Sequence, residues 1–330
     1  MKVAFFSAHA YDIAYFEGNQ SSHQFTFIKE KLDPVTARHA EGMDAICIAA
    51  TDMADEAVMT ELNKMGIRLI MVRASGLDNV DAHAADKAGV VLKYLPGYSP
   101  QAIAEHTAAL LLALNRNIHL AHERVCKGDF SIEGLMGFNL CNKTVGIVGI
   151  GRIGYAFAGI MKGFGCHILV SDTKQHVNIT HNDMQLVSLS DLLRKSDIIS
   201  LHCSLNDTSK AIINAQALRL VKPGAFLINT ARGKLVDTNA VLEALDKGFL
   251  GAYGADVYAH ESSFFYQTFK SAAEVNDPVL QALIRHPRVL LTAHQAFFTR
   301  EAMQQMTRTV INELTYHENL TSGSADRLMI

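Results

Sequence analysis

One stretch near the middle of the chain constrains the fold more than any other. An apolar run at Thr144–Val148 leads directly into the turn Gly149–Gly154, which reads Gly-Ile-Gly-Arg-Ile-Gly. A helical pattern then covers Tyr155–Phe164, and a second apolar run, His167–Val170, leads to Asp172. A glycine turn of this spacing between a strand and a helix is typical of a dinucleotide-binding α/β unit.

The glycines of this turn each have a physical purpose. Gly149 allows the tight turn, Gly151 lets the backbone approach a pyrophosphate, and Gly154 lets the helix pack closely on the strand. The N-terminus of the helix favours the negative charge of the phosphates. Asp172 stands where a carboxylate accepts a hydrogen bond from a ribose 2′-hydroxyl. We therefore predict a bound dinucleotide; the alternative is a glycine-rich turn without a ligand.

Composition limits the classes of protein that remain. The 330 residues allow one large or two ordinary domains, and the net charge of −3 favours neither a nucleic-acid surface nor a polybasic membrane patch. No apolar run reaches the roughly 18–20 residues of a membrane span. The five cysteines are far apart and include no CxxC pair, which favours reduced thiols in a cytoplasmic protein. His119 and His122 are three apart on a predicted helix, but no further ligand accompanies them, so we predict no metal site.

The first part of the chain alternates short apolar strands with helical patterns, which predicts a parallel sheet. Helices are expected at Ala54–Met65 and Ala82–Lys87. The first turn after a strand, Ser7–Asp12, contains no glycine, so this unit is predicted to face the substrate and not the cofactor. The predicted strands are Val3–Ser7, Phe25–Ile28, Ala45–Ala49, Leu69–Val72 and Val90–Leu92.

The second part predicts a complete dinucleotide-binding sheet of six strands. A long helix starting near Pro100 links the two parts, and a last helix, Arg300–His317, is expected to return to the first. The prediction is therefore two Rossmann-like, doubly wound parallel-sheet domains with a cleft between them, divided as 1–99 plus 299–330 and 100–298. The six strands are Thr144–Val148, His167–Val170, Ile198–Leu201, Ala225–Ile228, Ala252–Ala255 and Val289–Leu291. The helices between them are predicted at Arg152–Phe164, Ser190–Lys195, Asn214–Leu220, Asp237–Lys247 and Pro278–Ile284.

Three of these strands are followed by residues whose side chains can take part in a reaction. Arg232, Asp256 and His294 come after the fourth, fifth and sixth strands, and ligands of an open parallel sheet bind at the carboxyl ends of its strands. Histidine exchanges protons near neutral pH, and arginine offers a fork for a carboxylate. This combination favours oxidation of a 2-hydroxy acid, or reduction of a 2-oxo acid, with a dinucleotide.

The chain resembles the D-isomer-specific 2-hydroxyacid dehydrogenases over its whole length, and most of all their lactate branch. Tyr98-Ser99-Pro100 before the linking helix and the insert Phe264-Phe265-Tyr266 point to that branch. The other stretches that carry the resemblance are Arg73–Asp81, Gly146–Gly154, Asn229–Gly233, Gly254–Tyr258 and His294–Phe297.

The resemblance implies roles residue by residue. His294 matches the acid/base of the family, and Glu261 matches the carboxylate that accompanies it. Ser262 stands where many relatives have proline, a difference that the lactate branch shares. Arg232 matches the arginine that binds the substrate carboxylate. The resemblance implies further substrate contacts at Ser75, Gly76, Tyr98 and Phe297, and NAD(H) contacts at Gly149, Gly151, Arg152, Ile153, Gly154, Asp172, Cys203, Ala231 and Asp256.

These matches lead to the expectation of an NAD-dependent enzyme that reduces pyruvate to D-lactate. Asp172 should repel the 2′-phosphate of NADP, while Lys174 nearby weakens that preference. Other small 2-oxo acids, bulkier ones, or a non-catalytic dinucleotide-sensing co-repressor are the alternatives. The expected partners are a small-molecule acid and a second copy of the chain, in a homodimer or a homotetramer formed through the cofactor domains.

Overall fold

The computed structural model describes residues 1–95, 97–173 and 184–321. Two sequence expectations concern residues outside the described ranges. One is Lys174. The other is the small, polar tail Thr321–Asp326, which the sequence predicts to be frayed and of which only Thr321 is described. The chain divides into two compact units, one made of residues up to Ser99 together with those from Phe298 onward, and the other of Pro100–Phe297. The return point lies one residue before the one predicted from the sequence.

The first unit contains a five-stranded sheet in which every pairing is parallel. Its strands are β1 Lys2–Phe5, β2 Gln24–Phe27, β3 Ala45–Ile48, β4 Leu69–Val72 and β5 Val91–Tyr94, in the order β2-β1-β3-β4-β5. Its helices are α1 Ala10–Glu17, α2 Glu56–Lys64, α3 Ala82–Lys87 and the C-terminal α11 Arg300–Thr321. This is one of the two common orders of doubly wound sheets, as the sequence predicts.

Helix α1 corrects the prediction of a turn at Ser7–Asp12. The helix already begins at Ala10, because the Asp12 carboxylate accepts a hydrogen bond from the backbone N–H of His9 and so closes the first turn. The connection from β1 is therefore shorter than predicted, and it still contains no glycine.

The second unit contains seven parallel strands, one more than predicted. They are β6 Thr144–Val148, β7 His167–Ser171, β8 Met184–Leu186, β9 Ile198–Leu201, β10 Ala225–Asn229, β11 Leu250–Ala255 and β12 Val289–Leu291, in the order β12-β11-β10-β9-β6-β7-β8. The missed strand, β8, has three residues of which only Met184 is buried, too short for a recognisable pattern. With β8 included, the order is that of a dinucleotide-binding sheet with a seventh strand added beside the sixth.

Helices cover both faces of this sheet. They are α4 Pro100–Asn115, α5 Ile118–Cys126, α6 Arg152–Gly163, α7 Leu189–Lys195, α8 Ala215–Leu218, α9 Thr238–Asp246 and α10 Pro278–Arg285. One apolar core contains Leu111 of α4 and Phe157 of α6, and the other contains Leu193 of α7 and Val241 of α9. The confirmed fold is thus two α/β units with parallel sheets.

Local sequence signals explain where several helices start. Asp55, Asp81 and Asp237 precede α2, α3 and α9, and each carboxylate accepts a hydrogen bond from a backbone N–H of the first turn. Such a cap contributes about 1 kcal/mol to helix stability. Pro278 opens α10 directly after the capping Asp277, a position where proline has no N–H to lose.

Candidate active site

Three adjacent strands deliver the predicted chemical residues to one edge of the second sheet. β10, β11 and β12 are neighbours, and their carboxyl ends lead into the segments that contain Arg232, Asp256 and His294. The structure therefore places the three residues on the same edge, as parallel strands require.

His294 is fixed by contacts on three of its groups. Its Nδ1 lies 2.6 Å from Oε1 of Glu261, its backbone N–H donates to the backbone oxygen of Asp256 at 2.7 Å, and its carbonyl accepts from the hydroxyl of Tyr266 at 2.7 Å. The backbone of His294 is left-handed, with φ of 51°. A residue other than glycine adopts this conformation only where its surroundings impose it.

Glu261 is itself oriented by its own loop. Its second oxygen, Oε2, accepts from the backbone N–H of Tyr258 at 2.8 Å. Because an ionised carboxylate only accepts, Nδ1 of His294 is the donor in their contact. The contact occupies Nδ1 of His294, so the other ring nitrogen, Nε2, is the one that can meet a ligand.

The surroundings of His294 favour its charged form. Burial by itself lowers the pKa, but the hydrogen bond to Glu261 and the negative charges of Glu261 and Asp256 outweigh it, and the pKa of His294 is raised. The positive charge of Arg232 acts in the opposite direction. The site therefore holds a proton on an imidazole at pH values where an exposed histidine is neutral, which suits a general acid.

Asp256 is buried beneath this site, with 0% of its surface exposed. Its carboxylate accepts from the Thr292 hydroxyl at 2.5 Å and from the backbone N–H groups of Gln295 and Ala296 at 2.9 and 2.8 Å. Burial raises the pKa of Asp256, but hydrogen bonds from His106, Thr292 and the two amides bring it below the usual value. Asp256 thus holds the backbone around His294, and its predicted contact with nicotinamide stays a prediction.

The Arg232 segment is held by the residues on either side of it. The Asn229 side chain accepts from the N–H of Ala231 at 3.1 Å and donates to the carbonyl of Arg232 at 2.9 Å. Gly233 follows, and a Cβ there would lie 2.1 Å from the backbone of Tyr258. Only glycine therefore allows the Arg232 segment to lie directly against the segment that leads to Glu261.

The glycine turn has the geometry expected of a pyrophosphate site. Gly149 has φ of 92°, and a Cβ there would lie 2.6 Å from the backbone nitrogen of Cys203. A Cβ on Gly154 would lie 2.2 Å from the carbonyl oxygen of Gly149, so both positions require glycine for packing. A Cβ on Gly151 would meet nothing within 4 Å, so this glycine leaves open space at the N-terminus of α6.

The other predicted cofactor residues lie in the first turn of α6 or follow strands of the same sheet. Asp172 accepts from the backbone N–H of Ile150 at 2.8 Å, which ties the end of β7 to the glycine turn. Arg152 is exposed and Ile153 half-buried in the first turn of α6, which no side chain caps. Cys203 and Ala231, both half-buried, follow β9 and β10. Burial raises the pKa of the Cys203 thiol to about 11.

The first unit carries the predicted residues Ser75, Gly76 and Tyr98. Ser75 and Gly76 follow β4, and the guanidinium of Arg73 ties their loop to the end of β1 by donating to the backbone oxygens of Phe6 and Ser7. Tyr98 is half-buried, as is Phe297 in the second unit. Their contacts with a substrate stay predictions.

Sequence reasoning missed several residues that shape the site. Asn229 and Thr292 stand beside predicted residues, and Tyr266 was noted only as a mark of the lactate branch. His106 lies in the largely apolar helix α4, and the sequence pattern assigns it no role. A buried polar residue in such a helix is the signal that could have identified it, since buried polar groups need partners.

Three other features can be stated for the described residues. None of the helices among them is long and apolar enough to cross a membrane. Across residues 1–95, 97–173 and 184–321, no group of three histidine, cysteine or acidic side chains could hold a metal ion. All five cysteines are free thiols.

Similarity to known proteins extends over nearly the whole chain. Residues 108–296 match the model of the D-isomer specific 2-hydroxyacid dehydrogenase family, NAD binding domain. The chain is 40% identical over 319 residues to 2-hydroxyacid dehydrogenase A of Aspergillus oryzae, covering 95% of this chain and 91% of the relative. It is 37% identical over 325 residues to D-lactate dehydrogenase of Escherichia coli, covering 98% of both.

A solved structure extends the likeness to three dimensions. The pyruvate reductase of Chlamydomonas reinhardtii superposes with a TM-score of 0.87 at 37% identity, and the match covers 94% of both chains.

Proposed function

The chain belongs to the D-isomer specific 2-hydroxyacid dehydrogenase family, and from this we propose that it reduces pyruvate to D-lactate with NADH. The observation that carries the proposal is the 2.6 Å contact between Glu261 and His294, on the same sheet edge as Arg232. An acid, its carboxylate partner and a cation for a substrate carboxylate are the groups that reduction of a 2-oxo acid requires.

NAD is the cofactor of this family, and the residues present fit it. The open space at Gly151 and the uncapped N-terminus of α6 suit a pyrophosphate, and Asp172 suits a ribose hydroxyl. Bound as NADH, the cofactor supplies the hydride that is added to the carbonyl carbon. Asp172 disfavours a 2′-phosphate by charge, which supports a preference for NADH.

The substrate is oriented by its carboxylate. The guanidinium of Arg232 offers parallel N–H donors that match two carboxylate oxygens, which a lysine could not do. The backbone amides of Ser75 and Gly76 are the additional donors that the family resemblance implies. With its carboxylate fixed, a small 2-oxo acid has its carbonyl group in one orientation.

The proton comes from His294. As an imidazolium it donates the Nε2 proton to the carbonyl oxygen while the carbon becomes a secondary alcohol. Glu261 remains ionised and stabilises the charged imidazole before the transfer. His294 is left neutral and regains a proton from solvent. In the reverse direction, neutral His294 accepts the hydroxyl proton of the 2-hydroxy acid.

The test is NADH consumption with a panel of pyruvate, 2-oxobutyrate, phenylpyruvate, hydroxypyruvate and glyoxylate, followed by chiral analysis of the product. Preferred turnover of pyruvate to D-lactate supports the proposal. Preferred turnover of another acid of the panel would assign that acid as the substrate and leave the family unchanged. NADH binding without turnover of any member would contradict it in favour of a dinucleotide-sensing protein.

We also propose that the chain forms a homodimer or homotetramer through its second unit. Helix α5 buries none of its residues, and the segment after it exposes Phe130, Ile132 and Met136, the last with 92% of its surface exposed. Several large apolar side chains exposed on one short segment are typical of a protein interface. Light scattering during size-exclusion chromatography should give a multiple of the chain mass, and Ile132→Glu with Met136→Glu should reduce it; a monomer would contradict the proposal.

The free cysteines support a reducing compartment such as the cytoplasm as its location. If mild oxidation of the purified enzyme abolishes its activity, the enzyme requires reduced thiols, which is consistent with that location.

A further inference from the structure

Helix α4 is largely apolar, but it carries two adjacent polar residues, one half-buried and one buried. His106 and Thr107 lie near its middle, where the helix contacts β10, β11 and β12. Thr107 has 0% of its surface exposed, and the side chain of His106 is 19% exposed. Valine has nearly the shape of threonine and fills such a position without burying a hydroxyl, so packing alone does not account for Thr107.

Thr107 contacts the segment that contains Arg232. Its hydroxyl donates to the carbonyl of Ile103 at 2.7 Å, and its oxygen lies 2.8 Å from that of the Thr230 hydroxyl. Because the single hydrogen of Thr107 is used within the helix, Thr230 is the donor in the second bond. Thr230 is buried and lies two residues before Arg232. The bond therefore fixes the start of the Arg232 segment on α4.

His106 makes the corresponding contact with the segment that contains His294. Its Nε2 lies 3.1 Å from the Thr292 hydroxyl and 3.5 Å from Oδ1 of Asp256. The Thr292 hydrogen is donated to Asp256, so Nε2 of His106 is the donor toward Thr292. Thr292 lies two residues before His294. The bond fixes the start of the His294 segment on the same helix.

We propose that His106 and Thr107 are a pair of positioning residues that set the separation of Arg232 and His294 for the reaction proposed above. The two segments follow β10 and β12, which have β11 between them and therefore lie about 10 Å apart. No hydrogen-bond ladder joins β10 to β12 directly, whereas one turn of α4 contacts both segments. A misplacement of about 1 Å between reacting groups costs on the order of 100-fold in rate, so this spacing matters for catalysis.

The two residues should affect different kinetic constants. Thr107 acts through the arginine that binds the carboxylate, and so governs substrate affinity. His106 acts through Thr292 and Asp256 on the proton donor, and so governs turnover and its pH dependence. The titratable groups that surround His294 are Glu261, Asp256 and Arg232. A merely structural role would lower thermal stability without separating these effects.

The experiment compares Thr107→Val and His106→Ala with the wild-type holoenzyme. Thr107→Val should raise the KM for the best 2-oxo acid and weaken binding of oxamate to the NADH complex, each about fivefold, with little change in kcat. His106→Ala should lower kcat about tenfold and move the alkaline limb of the kcat/KM profile to lower pH. Oxamate is an unreactive anion of pyruvate shape, so its affinity reports the site without turnover.

Matched variants keep the test decisive. Glu105→Ala removes an exposed side chain from the same turn of α4 and should match the wild type. Thr107→Ser keeps the hydroxyl and His106→Gln keeps an N–H donor, so both should restore most of the lost function. If Thr107→Val or His106→Ala fails to fold, Thr107→Ser and His106→Gln are tested in its place. A kcat/KM below half of the wild-type value in these two variants would overturn the proposal.

Two outcomes separate the inference from the proposed function. If the wild type turns over a 2-oxo acid, and both Thr107→Val and His106→Ala stay within twofold of the wild type in kcat, KM and oxamate affinity, the positioning role alone is overturned. Absence of wild-type turnover on every 2-oxo acid tested would overturn the proposed function and this role with it.

Discussion

Glu261 and His294 are 33 positions apart in sequence, and a 2.6 Å contact joins the carboxylate of the first to Nδ1 of the second. This contact is the main reason that the pKa of His294 is raised despite burial. In the proposed mechanism, reduction of the 2-oxo acid needs the charged imidazole. Activity in that direction should therefore be full below the pKa of His294 and decline as the pH rises through it, while oxidation of the 2-hydroxy acid should show the opposite dependence.

Glu261→Gln tests this contact. The amide keeps the shape and one acceptor but removes the negative charge, so the pKa of His294 should fall. The alkaline limb of the kcat/KM profile for pyruvate should move to lower pH, and kcat at neutral pH should decline about tenfold or more. A profile that coincides with that of the wild type would remove Glu261 from the acid/base pair.

Arg232→Lys tests the recognition of the substrate carboxylate. Lysine keeps the positive charge but loses the planar fork, and one lost charged hydrogen bond is worth about 1.5–3 kcal/mol. We expect kcat/KM for pyruvate to decline roughly 10- to 100-fold, mainly through KM, with NADH affinity unchanged. Steady-state kinetics with separate NADH titrations measure both, and an unaltered KM would place the carboxylate elsewhere.

Asp172→Ala tests the choice between NADH and NADPH. Two unit charges about 4 Å apart in water interact by about 1 kcal/mol, so removing the carboxylate should narrow the preference for NADH about fivefold. Asp172→Asn is the matched control, because it removes the charge but keeps an acceptor for the N–H of Ile150. The measurement is the ratio of kcat/KM with NADH to kcat/KM with NADPH. The same ratio in the wild type, Asp172→Ala and Asp172→Asn would exclude Asp172 from the ribose site.

Gly151→Ala and Gly154→Ala form a matched pair in the glycine turn. A Cβ at Gly151 meets no protein atom within 4 Å, so this variant should keep its melting temperature and bind NADH at least tenfold more weakly. A Cβ at Gly154 would meet the carbonyl oxygen of Gly149 at 2.2 Å, so that variant should lose about 1–3 kcal/mol of unfolding free energy. Calorimetry and NADH fluorescence measure the two effects. Wild-type NADH affinity in Gly151→Ala would argue against a pyrophosphate at that turn.

The features that local sequence determines were predicted well. The strands of both sheets rest on short apolar runs, and all five predicted strands of the first unit lie within two residues of their predicted bounds. The glycine motif is equally local, because its three glycines lie within six consecutive positions, whereas the close packing of Gly149 against the backbone of Cys203 joins segments that are distant in sequence. β8 was missed because a three-residue strand with one buried side chain has no period to detect.

Contacts between distant segments could not be predicted from the sequence pattern alone. Glu261 was identified only through the family resemblance, since nothing in the spacing of 33 residues indicates a contact with His294. The same holds for the contact of His106 with Thr292, which are 186 positions apart. Parallel-sheet topology predicts which strand ends share an edge, but it does not predict which helix residue reaches them.

The most direct test of the account is His294→Gln, measured in single turnover with NADH and pyruvate. The account predicts that hydride transfer slows by about 100- to 10,000-fold while NADH binds as in the wild type, because only the proton donor is lost. Hydride transfer at the wild-type rate would contradict it and show that another group supplies the proton.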